Sequence, residues 1–226
     1  MLYHCDCNQD EILADTAALA LNKCVMSIPD KLIQDFTALR DILIIIRRDY
    51  NTYDSLYRDE NQLLLSLVAP TFFSDIAEIL NRDWNLLVGK IMDPAETTVK
   101  NEKRENLTIR LINAQLKDVG LLSDEIYSVS SSILNYGESL KPARDKLLAH
   151  FDRDIALSGK ELGGTSKEDF DSFLENIQIY SDLVGTQIGV GPLDFSCSSC
   201  SGDVYDLLKY LRKGEAGLIE QTAIKK

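Results

Sequence analysis

Lys31-Leu-Ile-Gln-Asp-Phe-Thr-Ala-Leu-Arg-Asp-Ile-Leu-Ile-Ile-Ile-Arg-Arg-Asp-Tyr-Asn-Thr-Tyr-Asp-Ser-Leu-Tyr57 is the stretch on which the fold class turns. Its middle, Ile42-Leu-Ile-Ile-Ile46, is β-branched and favours a strand by propensity. Around it, Leu32, Phe36, Leu39, Leu43, Ile46, Tyr50, Tyr53 and Tyr57 recur every three or four residues, the period of one helix face. The longer period should win, giving a helix of about 28 residues with Asp30 as its N-cap after Pro29. Being apolar all round at its middle, it should be buried there on several sides.

The same period recurs along the chain. It predicts a helix from about Gln9 to Val25 on Ile12, Leu13, Ala17, Ala20, Leu21 and Cys24. Another opens at Pro70 or just before it, runs on Phe73, Ile76, Leu80, Trp84 and Ile91, and stops at Asp93-Pro94. Ala95 to Glu105 reads as a loop. A helix from Leu107 to Val119 ends at Gly120. Ser123 caps the next, with Asp124 and Glu125 where the helix dipole favours acids, and this leads to Gly137 and then to Pro142–Asp152. Ser166 and Asp169 fit a capping box for a helix to about Val184. Gly185 to Gly202 reads as irregular, followed by a short helix from Asp203 to Arg212. No strand–turn–helix alternation, Gly-x-Ser-x-Gly elbow or His-Glu-x-x-His zinc helix occurs. Ser158-Gly-Lys lacks the glycine spacing and preceding strand of a phosphate loop. The fold class expected is all-α, a bundle of about seven helices.

Charge limits the partners. Twenty-four Lys and Arg stand against thirty-six Asp and Glu, a net −12, which repels phosphate backbones at long range and argues against broad nucleic-acid binding. Two islands run the other way, residues 100–110 and 141–153, each with a balance of +2, and these are where RNA would dock. No apolar run approaches the roughly 20 residues of a membrane span, and the start lacks a signal peptide's pattern, so a cytoplasmic protein is expected. Five cysteines make an odd set. Cys197-Ser-Ser-Cys200 has zinc-knuckle spacing, but its only partners for a four-thiolate site, Cys5 and Cys7, are distant and poorly spaced, so free thiols and no metal or cofactor are expected.

The chemistry concentrates in Lys141-Pro-Ala-Arg-Asp-Lys-Leu-Leu-Ala-His-Phe-Asp-Arg153. It contains His150, one of two histidines in the chain, with Arg144, Asp145 and Lys146 close before it. An Arg can hold a phosphate with paired donors and a His can move protons near neutral pH. Six residues separate Arg144 from His150, which on a helix is a rotation of about 240° and a rise of about 9 Å. A joint site therefore needs Arg144 to reach around the helix, or the helix to distort near Pro142, or a second chain to supply one partner. Pro142 alternatively sits at a first helical position. The plainer structural reading is a helix-end His favoured by the macrodipole beside a solvated charged face.

Arg144-Asp145 followed by His150 resembles the signature of the HEPN superfamily (higher eukaryotes and prokaryotes nucleotide-binding): an Arg, a polar residue, and a His a few residues on. The wording Arg-Asp-Lys-Leu-Leu-Ala-His-Phe-Asp is closest to the abortive-infection branch of bacterial phage-defence proteins. A fainter likeness lies in Lys90-Ile91-Met92-Asp93 and Asn106-Leu107-Thr108-Ile109. The resemblance covers roughly residues 10–186 and implies a single HEPN-like helical domain over 1–226, with 187–226 an irregular extension carrying the short helix. It also implies a metal-independent endoribonuclease of a toxin–antitoxin or phage-defence system. In that reading Arg144 and His150 are catalytic, Asp145 and Lys146 support them, and no metal or other cofactor takes part. RNA, most simply single-stranded, would be the substrate. The chain would form a homodimer with the two motifs in a shared cleft, with an antitoxin as further partner and no membrane association. The alternative is a non-catalytic HEPN-like module that binds a nucleotide or a partner.

Overall fold

The computed structural model describes residues 28–143, 166–196 and 200–224. Among these it forms seven helices: α1 (Asp30–Leu56), α2 (Asp59–Val68), α3 (Pro70–Ile91), α4 (Ile109–Asp118), α5 (Asp124–Ala143), α6 (Lys167–Gln187) and α7 (Val204–Ile224). Between α3 and α4 lies a two-stranded antiparallel hairpin, β1 (Glu96–Val99) and β2 (Glu102–Glu105). The all-α class is as expected. The expected helix at Gln9–Val25 lies outside the described residues.

The helical period wins in α1. Leu32, Phe36, Leu39, Leu43 and Ile46 are fully buried, while Ile42, Ile44 and Ile45 beside them are half-buried. The helix packs against α3, α4, α6 and α7, so the apolar middle is covered from several sides. Farther along, Tyr50 and Tyr53 meet Trp84 of α3 edge-on at 5.7 and 5.1 Å, and Tyr50 meets Phe170 of α6 at 4.7 Å, arrangements that rings prefer. Asp30 is not the cap. Pro29 holds that position in an extended conformation with no side-chain bond, and Asp30 is the first helical residue, where its charge suits the dipole.

Three starts and one stop follow the capping rules closely. Pro70 opens α3 in its first turn. Ser123 Oγ accepts from Ile126 N at 3.2 Å at the head of α5. At α6, Ser166 Oγ accepts from Asp169 N and Asp169 Oδ2 from Ser166 N, both at 3.1 Å, the expected capping box. At the end of α4, Gly120 has φ +69, Gly120 N donates to Lys117 O and Leu121 N to Leu116 O, the paired bonds of a Schellman stop.

Other boundaries differ from expectation. Residues 95–105, read as a loop, contain the hairpin, turned through Lys100 and Asn101 at φ 50 and 68, the left-handed pair that matches strand twist. Helix α5 passes through Gly137 and continues to Ala143 with Pro142 in its last turn, neither at a first helical position nor in the helix's middle. Helix α2 was not foreseen. Its Leu64 and Leu65 join Leu56, Phe73 and Leu208 in a second, smaller apolar cluster. There buried Asn61 donates to Ser55 O at 2.8 Å and accepts from Arg212 Nη2 at 2.6 Å. That bond and buried Leu208 tie down α7, which runs to Ile224 rather than Arg212.

Candidate functional site

Helix α5 carries the chain towards the Arg144–His150 stretch, and its inward face is set by residues four or three apart. Ile126, Ser130 and Ile133 are buried and Gly137 follows on the same line. A Cβ at Gly137 would lie 1.5 Å from Met92 Sδ, so the glycine makes room for the Met92 thioether at the end of α3. Ser130 is polar because it closes a bridge across three helices. Tyr180 Oη of α6 donates to Asn113 Oδ1 of α4 at 3.0 Å, Asn113 Nδ2 donates to Ser130 Oγ at 2.8 Å, and Ser130 Oγ donates to Tyr127 O at 2.9 Å. Burial pushes the Tyr180 phenol far above its ordinary pKa, which keeps it a neutral donor. Each buried group in the bridge has a partner, the condition for burying polar atoms without penalty.

Where α3, α4 and α5 converge there is a cavity of about 340 Å³ lined by Gly89, Met92, Asp93, Pro94, Arg110, Gly137, Glu138, Leu140 and Lys141. Arg110 Nε points at Met92 O at 3.5 Å, and Arg110 Nη2 lies 3.8 Å from Glu138 Oε1, beyond hydrogen-bond reach. Arg110 and Glu138 also line a second hollow along α4 and α5, with Asn113, Tyr127, Ser130, Ser131, Leu134 and Asn135. Tyr127 in turn lines a third with Lys117, Gly120, Leu122, Ser123 and Asp124.

The sequence-predicted residues Arg144, Asp145, Lys146 and His150 lie outside the described residues, as does all of residues 144–153. Lys141, on the cavity rim, stands three positions before Arg144 in the sequence. The upstream likeness has structural employment. Met92 caps α3 and Asp93 lines the cavity. Thr108 Oγ1 accepts from Leu111 N at 3.2 Å, capping α4, and Asn106 closes the hairpin by donating to Ala95 O and Pro94 O, each at 2.8 Å. Arg110 and Glu138 are distant in sequence, and only folding shows that they face each other.

Three of the four cations in the positive island at 100–110 face acids in the fold. Lys103 Nζ lies 3.0 Å from Glu96, Arg104 Nη2 3.4 Å from Glu102 and Arg110 Nη2 3.8 Å from Glu138. Summing charge along the chain ignores the acids that folding brings opposite three of the island's four cations. Cys200 is an exposed free thiol, and Cys5, Cys7 and Cys197 lie outside the described residues. Among the described residues no three His, Cys, Asp or Glu side chains are grouped to hold a metal ion. No described helix is long and apolar enough to cross a membrane.

Comparison with known proteins gives one result. The family profile described as AbiU2, of the HEPN group, matches residues 29–199. No curated protein and no solved structure matches the chain.

Proposed function

The chain belongs to the AbiU2 family of HEPN domains, a module of the abortive-infection branch, and on that premise we propose that it is a metal-independent endoribonuclease of a bacterial toxin–antitoxin or phage-defence system. The observation that carries the reading is the Arg144-Asp-Lys-Leu-Leu-Ala-His150 sequence inside the matched span 29–199. RNA carries its own nucleophile, the 2′-hydroxyl. His150 takes or returns the proton, and Arg144 places paired donors on the scissile phosphate as charge builds there. Lys146 adds a second positive charge and Asp145 orients Arg144. Two copies with facing motifs resolve the angular mismatch between Arg144 and His150, since one chain's Arg then meets the other's His. The substrate is single-stranded RNA, a companion antitoxin restrains the activity, and the protein works in the cytoplasm.

The test is cleavage of single-stranded RNA by the purified protein in the presence of a chelator, with Arg144→Ala and His150→Ala alongside. Light scattering at micromolar concentration should give the mass of a dimer, and a monomer would remove the composite site. A second reading, a non-catalytic nucleotide- or partner-binding module, is favoured by the net charge of −12 and by the paired cations of the hairpin. It predicts no cleavage by the starting protein.

A further inference from the structure

Helices α2 and α3 turn their buried sides to one small cluster and leave apolar side chains outside. Leu64, Leu65 and Phe73 are buried in that cluster, with Ile76 packed against it. Leu63 is 69% exposed, Leu67 62%, Phe72 56% and Ile79 48%, and Val68 is exposed beside them. Twelve large apolar side chains stay exposed among the described residues, and these five all fall between positions 63 and 79. Scattered singly, such residues are ordinary. Crowded on two helices joined by Ala69 alone, they mark an interaction surface.

Spacing makes stripes of them. Leu63 and Leu67 are four apart, and Phe72 and Ile79 are seven apart with half-buried Ile76 between, so each set runs along one line of its helix. Acids hold the neighbouring helical positions. Asp59 and Glu60 stand four and three residues before Leu63, and Asp75 stands three after Phe72 and four before Ile79. Asp83 stands four after Ile79. With Glu78 that makes five exposed acids between 59 and 83 against one cation, Arg82, a balance of −4. Glu60 lies 3.8 Å from Arg212 Nη2 and Asp59 accepts from Gln62 Nε2 at 3.1 Å, while Asp75 and Glu78 make no ion pair among the described residues. We propose that the exposed side of the α2–α3 pair is a docking surface for a basic amphipathic helix of a partner protein, its apolar face along Leu63, Leu67, Phe72 and Ile79 and its Lys or Arg residues on the flanking acids. The proposal is independent of the cleavage reading.

Charge selects the occupant. A second copy would set one acidic rim against another, and like charges opposed across an interface cost affinity. A membrane surface carries anionic headgroups and draws basic segments, not acidic ones. A basic helix is steered to the rim by its cations while its apolar face covers the stripes. A helix is also the fitting shape, because the stripes run along helices and a third helix can pack its ridges against them.

The experiment is fluorescence anisotropy of a labelled peptide of about 18 residues, about five helical turns, with leucines on one face and lysines on the other, titrated with the full chain. A matched peptide carrying glutamates for lysines is the control. The lysine peptide should bind and the glutamate peptide should not, and binding should weaken as salt is raised. Leu67→Ser with Phe72→Ser should weaken binding by about 10-fold or more, the loss of two apolar anchors. That variant should fold as its parent does, because both side chains are exposed. Asp75→Asn with Glu78→Gln should slow association by about 3-fold or more and change dissociation less. Tyr127→Ser, which removes an exposed ring on α5, should leave binding unchanged. No binding of the lysine peptide, equal binding of both peptides, undiminished binding by the folded Leu67→Ser, Phe72→Ser protein, or equal weakening by Tyr127→Ser would overturn the proposal. So would a dimer in light scattering that the same double substitution converts to a monomer, since the face would then belong to a second copy.

Discussion

The β1–β2 hairpin and helix α5 are held by opposite means. Every residue of both strands is exposed, and the hairpin's charges meet in surface pairs such as Lys103–Glu96 and Lys31–Glu105. Helix α5 is held from inside, by Ile126 and Ile133 in the core and by the Tyr180–Asn113–Ser130 bridge. Surface pairs contribute about 0–1 kcal/mol, while a buried aliphatic side chain contributes several times that. The difference also corrects the reading of charge. Residues 100–110 carry a balance of +2 in sequence, yet Lys103, Arg104 and Arg110 each face an acid in the fold.

The contrast can be tested by weakening each support in turn. Ile133→Ala removes a fully buried side chain under α5 and should cost about 2–5 kcal/mol in chemical denaturation. A cost below about 1 kcal/mol would mean that α5 is not held from within. Asn113→Leu should come next, at about 1–3 kcal/mol, since the Tyr180 hydroxyl loses its acceptor and Ser130 Oγ keeps only its bond to Tyr127 O. Adding Ser130→Ala to Asn113→Leu should then cost less than the two single changes summed, because the groups share one network. Smallest of all, Lys103→Gln with Arg104→Gln should change stability by no more than about 0.5 kcal/mol and leave RNA cleavage as it was. A large loss of cleavage in that double variant would restore the hairpin as a docking patch.

Much of this was legible in the sequence, and the failures have physical causes. Helices α1, α3, α4, α5 and α6 announce themselves by apolar spacing and by caps such as Ser123 and Ser166. Helix α2 was missed because Leu63-Leu-Leu-Ser-Leu-Val68 is a nearly continuous apolar run with no period. Only packing shows that Leu64 and Leu65 face inward while Leu63 and Leu67 stay exposed. The hairpin strand Glu-Lys-Arg-Glu has no apolar face to betray it, and Asn101 in its turn is the sole local signal. The use of Gly137 inside α5 was not legible because it depends on Met92, 45 positions away in sequence and touching only after folding. The candidate motif was legible as Arg144-Asp145 and His150, through its resemblance to a family. The hollows along α4 and α5 were not, since Arg110, Tyr127 and Lys141 come from separate turns and helices.

The central claim is that Arg144 and His150 cleave RNA. The direct measurement is the initial rate of single-stranded RNA cleavage, with chelator present, by the unsubstituted protein and by His150→Ala, both shown folded by their melting curves. Loss of the proton-transfer group should slow the reaction by about 100- to 10,000-fold while the melting temperature stays nearly unchanged, because even a His favoured by a helix dipole would contribute only about 0.3–1 kcal/mol. Undiminished chelator-resistant cleavage by a well-folded His150→Ala protein, or no cleavage by the unsubstituted one, would contradict it.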